Sequence, residues 1–405
     1  MKLEVLKEVS PLTMLQLETC ARCAHCADYC PVYEVLKKPQ VMPGGRASAM
    51  LRVIRSGMGS SLALYRVGAG KPEEVESYVE SVYDCALCGR CMAVCPFGIQ
   101  TDRLWEALRK IVYGLGKHPP VLKEVDGFIL DTHNAYGVGN DARPMWVDYL
   151  GLDNARINEP SEVVYFVGCT SSFKAVAQDI AYAASLALNR AGVSWTLLGE
   201  DEWCCGAPLL MIGDEEGARK MAEHNVGAIE RLGAKLVVSA CPGCARTIKQ
   251  KYPSLIGRPL RFNVVHIVEL LDLCIRRERI SVDGVEKESA LVTYHDPCEL
   301  ARLSGVINEP RRVIFAVASS FREMPESKRD VRCCGGGGIL QAVNDELRLS
   351  IAEKRVRQAQ ALGAEILTSA CPACKITLMD GAKRIGAKIR VLDVVELFAG
   401  RLGLI

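Results

Sequence analysis

Eighteen of the nineteen cysteines in this 405-residue chain fall into four clusters, and two of those clusters contain adjacent cysteines followed by glycine: "WCCGAPLL" at 203–210 and "RCCGGGGIL" at 332–340. Neighbouring cysteines suit an ordinary disulfide poorly, because its geometry needs two well separated, correctly aimed Cα atoms. They suit different metals of one polynuclear cluster better. A chain of this length can bury two or three cores, so it does not need cysteine staples as a small secreted scaffold does. The N-terminal stretch "MKLEVLKEVSPLTML" places charges in every turn and lacks the apolar run of an export signal. The cysteines therefore read as reduced thiols or metal ligands.

The first two clusters are more regular. Cys20, Cys23, Cys26 and Cys30 read C-x2-C-x2-C-x3-C and close on Pro31; Cys85, Cys88, Cys91 and Cys95 repeat the run and close on Pro96. This is two-cluster ferredoxin spacing, in which three cysteines wrap one cubane and the fourth ligates the other. The expected sets are Cys20, Cys23, Cys26 and Cys95 for one cubane 4Fe–4S cluster, and Cys85, Cys88, Cys91 and Cys30 for the second. Zinc ribbons also use paired cysteines, but zinc does not call for four cysteines plus proline twice over. Between the runs, "GGRASAMLRVIRSGM" and "PEEVESYVESVY" carry helical, amphipathic spacing and should dock this module on the rest of the chain.

After the helical stretch "TDRLWEALRKIVYGLG", residues 116–160 are rich in Gly, Pro, Asn and Asp and read as a connecting segment. Beyond it the sequence repeats: "RLGAKLVVSACPGCARTI" (231–248) and "ALGAEILTSACPACKITL" (361–378) align without gaps and match at nine of eighteen positions. Each repeat opens on a β-rich run ending in cysteine, "VVYFVGC" or "LVTYHDPC", and returns to a second apolar strand after helical segments. Alternation of this kind predicts open parallel α/β sheets with sites at the carboxyl ends of the strands. The expected fold is a helical ferredoxin-type domain over 1–115 and a linker over 116–160, followed by two tandem α/β domains over 161–285 and 286–405. All five cysteines of each repeat should converge on one rim.

The repeat spacings are C-x34-CCG-x34-C-x2-C for Cys169, Cys204, Cys205, Cys241 and Cys244, and C-x34-CCG-x35-C-x2-C for Cys298, Cys333, Cys334, Cys371 and Cys374. These residues resemble the cysteine-rich CCG domains of the heterodisulfide reductase family. The whole arrangement is similar to D-type subunits, in which B- and C-type subunits are fused. The resemblance implies that each set of five holds a non-cubane 4Fe–4S cluster, with the vicinal thiolates serving different irons. Gly206 and Gly335 would let backbone approach the cluster sulfides, and Gly336 to Gly338 extend that freedom. Reducing a disulfide takes two electrons, whereas iron–sulfur clusters deliver one at a time; two non-cubane clusters facing a cleft, refilled by two cubanes, would supply them.

The activity so implied is reduction of the coenzyme M–coenzyme B heterodisulfide. It brings a small thiol/disulfide substrate and an electron-donor subunit, either a membrane cytochrome b or a soluble flavoprotein. The implied location is cytoplasmic, peripheral on the membrane face through that partner. Two other readings stay open: a related subunit of a sulfur- or sulfate-respiratory complex acting on a sulfur-carrier disulfide, and an electron relay of a hydroxyacid dehydrogenase. Relatives often continue the "HDPC" element with histidine, whereas Glu299 stands here. His295 is thus only a candidate for catalysis.

The remaining features exclude more than they add. Fifty Lys+Arg against forty-eight Asp+Glu leave no basic field for nucleic acid, and no apolar run reaches the ~20 residues of a spanning helix. "VGAGKPEE" lacks the earlier glycine and the Ser/Thr of a phosphate loop, and no strand leads into a dinucleotide fingerprint. Cys274, on a helical apolar face, reads as a small core residue. His25, inside the first ferredoxin loop, should shield or tune a cluster, and His118, His133, His224 and His266 read as structural.

Overall fold

The computed structural model describes residues 9–57, 81–153 and 155–405. The phosphate-loop-like stretch at 67–74 and most of the second predicted docking helix (72–83) lie outside these residues. The N-terminal region is helical: Pro11–Thr19, Pro31–Leu36, Pro43–Gly57 and Thr101–Gly114 surround the two cysteine loops. Leu104, Trp105, Leu108, Ile111 and Val112 of the last helix, at helical spacing, pack with Met50, Leu51 and Ile54 of Pro43–Gly57. Residues 116–160 include the helix Pro120–Thr132, which buries Leu122 and Ile129.

Two parallel sheets follow. The first comprises β1 (Val163–Tyr165), β2 (Trp195–Thr196), β3 (Leu236–Ser239) and β4 (Asn263–His266) in the order β2-β1-β3-β4. The second comprises β5 (Val292–His295), β6 (Ile366–Ser369) and β7 (Arg390–Asp393) in the order β5-β6-β7. An isolated parallel bridge from Val292 to Phe321 stands where β2 stands in the first sheet, so the two halves share one strand order. Every pairing is parallel, as helical crossovers require. Gly233 (φ 73°) and Gly363 (φ 75°) take the left-handed position that ends the preceding helix and turns the chain into β3 and β6.

The two halves are joined by apolar helix packing. Ala175–Arg190 of the first half packs on Val394–Arg401 of the second, and Ile267–Arg276 packs on Asn308–Val317. These are the same contact made twice with the halves exchanged, the self-complementary pattern of a two-fold interface. Ala177, Ile180, Ala184 and Leu188 meet Val394, Val395 and Phe398 in one continuous core, together with Cys274. That core brings the carboxyl ends of both sheets, and the cysteines beyond them, to a common seam.

Candidate metal centres

In the ferredoxin-type region the loop backbones are repeated as closely as the cysteines. Arg22 (φ 55°) and Ala24 (φ 61°) in the first loop, and Leu87 (φ 50°) and Gly89 (φ 68°) in the second, adopt left-handed conformations at equivalent positions. Such pairs curl a short loop so that its side chains point inward. Cys20, Cys23, Cys26, Cys91 and Cys95 line one cavity with Pro43, Ala47 and Trp105. Cys30 caps the helix Pro31–Leu36, and its electrostatic neighbours are Arg46, Cys85 and Cys88. The structure thus brings Cys95 to the first loop and Cys30 to the second. Buried Arg46 holds a cation against Cys85, Cys30 and Cys91. His25 sits edge-on to Tyr29 at 5.3 Å.

In the first α/β half, Cys169 starts a short helix after β1, Cys204 and Cys205 follow a turn, and Cys241 caps the helix that carries Cys244. The five thiols form one contact chain: Cys169 with Cys204, Cys204 with Cys205, Cys205 with Cys244, and Cys244 with Cys241. Arg143 supports the rim, donating to Glu202 at 2.9 Å and to Cys169 Sγ at 3.5 Å. Glu202 accepts in turn from the backbone of Val167 and Gly168, both at 2.8 Å. Burial pushes the Glu202 carboxyl up to about 7 against the pull of Arg143.

The second half repeats the chain: Cys298 with Cys333, Cys333 with Cys334, Cys334 with Cys374 at 3.4 Å, and Cys374 with Cys371. His295, Cys334 and Cys374 place ligand atoms within 4.8 Å of one another. Arg355 Nε stands 3.1 Å from His295 Nδ1 and can only donate, so Nδ1 accepts and the ring proton lies on Nε2. Glu299 pairs with Arg246 of the first half at 2.9 Å.

Five thiols in contact, three of them buried in the first set and four in the second, cannot all ionise unaided. Hydrogen bonds from Cys204 and Cys244 bring Cys205 down to about 6, and Cys334 is lowered equivalently by Cys333 and Cys374. The other members pay for this: contact with these sulfurs drives Cys244, Cys333 and Cys374 well above the ordinary thiol range. Only added positive charge allows every sulfur in such a set to become thiolate, which is what coordinated iron supplies. An all-thiol, largely buried, convergent donor set therefore fits an iron–sulfur group.

Several contacts around the thiol sets were invisible in the sequence. Cys371 feels the charge of Cys241, so the two five-thiol sets are electrostatic neighbours. Cys88 of the second ferredoxin loop touches Cys333, which brings it down to about 6, and Arg302 holds the Cys88 carbonyl at 2.7 Å. Gly337 and Gly338, expected to approach sulfides, instead lie against the backbone of Ala86 and Cys85, where any Cβ would overlap. Gly335 and Gly336 bring their backbone N–H groups to the Cys333 and Cys334 sulfurs at 3.3 and 3.4 Å, and Gly335 packs against the Arg348 backbone. Buried Arg109 donates to Met211 O (2.7 Å) in the first half, Gly338 O (3.1 Å) in the second and Cys85 O (2.8 Å) between them. Beside Cys204, Trp203 is sandwiched between His133 and His224 at 3.5 and 3.6 Å. No motif could have announced any of these contacts.

With this geometry in hand, comparison with known proteins gives the class. The 4Fe-4S dicluster domain matches residues 16–99, and the CCG cysteine-rich domain matches 163–249 and again 292–379, which defines an iron–sulfur oxidoreductase subunit. The D-type subunit of the dihydromethanophenazine:CoB--CoM heterodisulfide reductase of Methanosarcina acetivorans is 37% identical over 98% of this chain and 97% of its own. The chain belongs to the family of heterodisulfide reductase D-type subunits. More distant similarity extends to the EtfAB:quinone oxidoreductase of Syntrophomonas wolfei subsp. wolfei, 27% identical over 95% of this chain and 58% of that one. The B-type subunit of the CoM/CoB fumarate reductase of Methanothermobacter marburgensis is 27% identical over 78% of this chain and 61% of that one. No helix among the described residues is long and apolar enough to cross a membrane.

Proposed function

We propose that this chain reduces the mixed disulfide of coenzymes M and B, with Cys169, Cys204, Cys205, Cys241 and Cys244 holding one non-cubane 4Fe–4S cluster and Cys298, Cys333, Cys334, Cys371 and Cys374 another. The eight ferredoxin-type cysteines hold two cubanes in crossed sets, Cys20, Cys23, Cys26 and Cys95 against Cys85, Cys88, Cys91 and Cys30. The observation that carries this reading is the presence of two complete five-thiol sets with the same contact chain, Cys371 of the second lying in the charge field of Cys241 of the first. A relay needs one path; two equivalent sets suit a substrate that splits into two sulfurs.

When bound, the iron–sulfur groups supply single electrons and iron sites for sulfur. The chain's own residues do the rest. Cys88 against Cys333 joins the ferredoxin region to the second half, and Arg109 locks the three regions together. His295, whose Nδ1 accepts from Arg355 Nε at 3.1 Å, serves the Cys334 sulfur as a hydrogen-bond partner. Seven of the ten cysteines in the two five-thiol sets are buried, which would keep water from the iron–sulfur groups they would hold. A separate electron-donor subunit, a membrane cytochrome b or a soluble flavoprotein, completes the reaction and would hold the chain at the cytoplasmic face of a membrane in the first case.

The test is anaerobic. Iron-replete protein is given reduced viologen and the coenzyme M–coenzyme B heterodisulfide, and dye oxidation is followed. Turnover is expected; no turnover with about sixteen irons bound, by the four-cluster count, overturns the substrate assignment.

A further inference from the structure

Three buried polar atoms without a hydrogen-bond partner among the described residues gather at the seam: Tyr165 Oη, Tyr294 Oη and Asp393 Oδ2. The tyrosines occupy the same place in the two repeats, each four residues before the first cysteine of its set, on β1 and β5. Both are 0% exposed. The charges felt by Tyr165 are, in order, those of Glu202, Asp393, Cys241 and Cys244, and those felt by Tyr294 are Asp296, Arg311, Asp393 and Cys374, so each phenol lies in the field of its own cysteine set as well as of Asp393.

A buried hydroxyl with no partner costs about 1–3 kcal/mol, whereas phenylalanine of the same shape would cost nothing of the kind. The chain carries this liability twice, at symmetry-related positions beside its thiol sets. The repeat also shows what a satisfied counterpart looks like. His266, which occupies in the first half the position of Asp393, is within 2.9 Å of Ala240 O and accepts from Val268 N at 3.4 Å. The two hydroxyls are donors with no acceptor among the described residues, each on the strand that leads into its own cysteine set.

We propose that Tyr165 and Tyr294 donate hydrogen bonds to the sulfur of the iron–sulfur groups held by the first and second sets respectively, one tyrosine to each. The inference rests on the cluster assignment above. A hydrogen bond to cluster sulfur stabilises the reduced, more negative state and so raises its potential. Deep burial keeps both phenols protonated and able to donate. Each tyrosine is thus a positioning and tuning residue for its own half, and no proton is transferred in this role.

The experiment uses the iron-replete full chain and the variants Tyr165→Phe, Tyr294→Phe and Asp393→Asn. Iron content and the EPR signals first establish that the clusters are present, so failure of the cluster assignment is seen separately. Pulsed EPR in deuterated water then reads exchangeable-deuteron couplings, and a redox titration reads each midpoint. The expected result is one coupling lost and one midpoint moved to more negative values in each Phe variant, in its own half only, with both couplings kept in Asp393→Asn. Unchanged couplings and midpoints in the Phe variants would overturn the proposal. So would loss of the same couplings in Asp393→Asn, because the hydroxyls would then be serving the carboxylate.

Discussion

The two α/β halves share strand order, cysteine spacing and a thiol contact chain, yet each is braced differently. The first relies on a buried ion pair under its rim, Arg143 with Glu202. In the second, Val331 replaces Glu202, and Arg311 grips Asp296 through two contacts of 2.8 Å. Among the described residues it is the second half that touches a ferredoxin thiol, through Cys333, and its sequence carries the glycine run that fits the Cys85–Ala86 backbone. The first half has Ala207, Pro208 and Leu209 there, the start of the helix Ala207–Ile212, which packs on Thr101–Gly114. Duplication preserved what holds the metal and changed what receives the neighbour.

Cysteine replacement should have the largest effect on this contrast. Cys205→Ser and Cys334→Ser should each lose about four of the sixteen irons expected for four clusters and abolish disulfide reduction, leaving cubane EPR signals visible. Cys333→Ser should also perturb the signal of the second cubane, and Cys204→Ser should not; equal perturbation by both would erase the asymmetry. Breaking the buried pairs comes next. Arg311→Met strands the buried Asp296 carboxylate and should cost roughly 3–5 kcal/mol by denaturant unfolding under anaerobic conditions; Arg143→Met should cost less, because Glu202, already held at about 7, takes up a proton when the guanidinium is removed.

A smaller effect is expected at Gly338, whose φ is 65°. Gly338→Ala forces a methyl onto the Cys85 carbonyl and should destabilise by about 1–3 kcal/mol, with proteolysis appearing first between the ferredoxin region and the second half. Leu209→Ala, its counterpart, should leave that junction intact.

The smallest effect concerns pH. Burial works to raise Glu326, but Arg90, Arg332 and Gln358 outweigh it and hold the carboxyl at about 2. Its contribution is therefore complete above the ordinary glutamate value of about 4.3 and is lost as pH falls towards 2. Arg90 belongs to the ferredoxin region, so that junction should loosen in this window. Glu326→Gln should remove this component of the acid sensitivity, measured as the protease susceptibility of the same junction.

Much of this protein was legible before any coordinates. The eight ferredoxin-type cysteines could be read because their spacing is local: a loop can wrap a metal group only if its cysteines recur at short, fixed intervals. The two sets of five, whose cysteines are separated by stretches of 34 or 35 residues, could be read because the repeat wrote the same spacing twice. The parallel halves were legible because strands and helices write their periods into the chain, and because the repeat wrote them twice. Tertiary structure alone decided that Cys88 meets Cys333, that Arg109 spans three regions and that Trp203 is sandwiched by His133 and His224. It also set Tyr165 and Tyr294 in one core and turned Gly337 and Gly338 towards the ferredoxin loop. Each of these joins residues tens to hundreds of positions apart, and such pairs are chosen by how apolar helix faces pack the halves together, which no local spacing encodes.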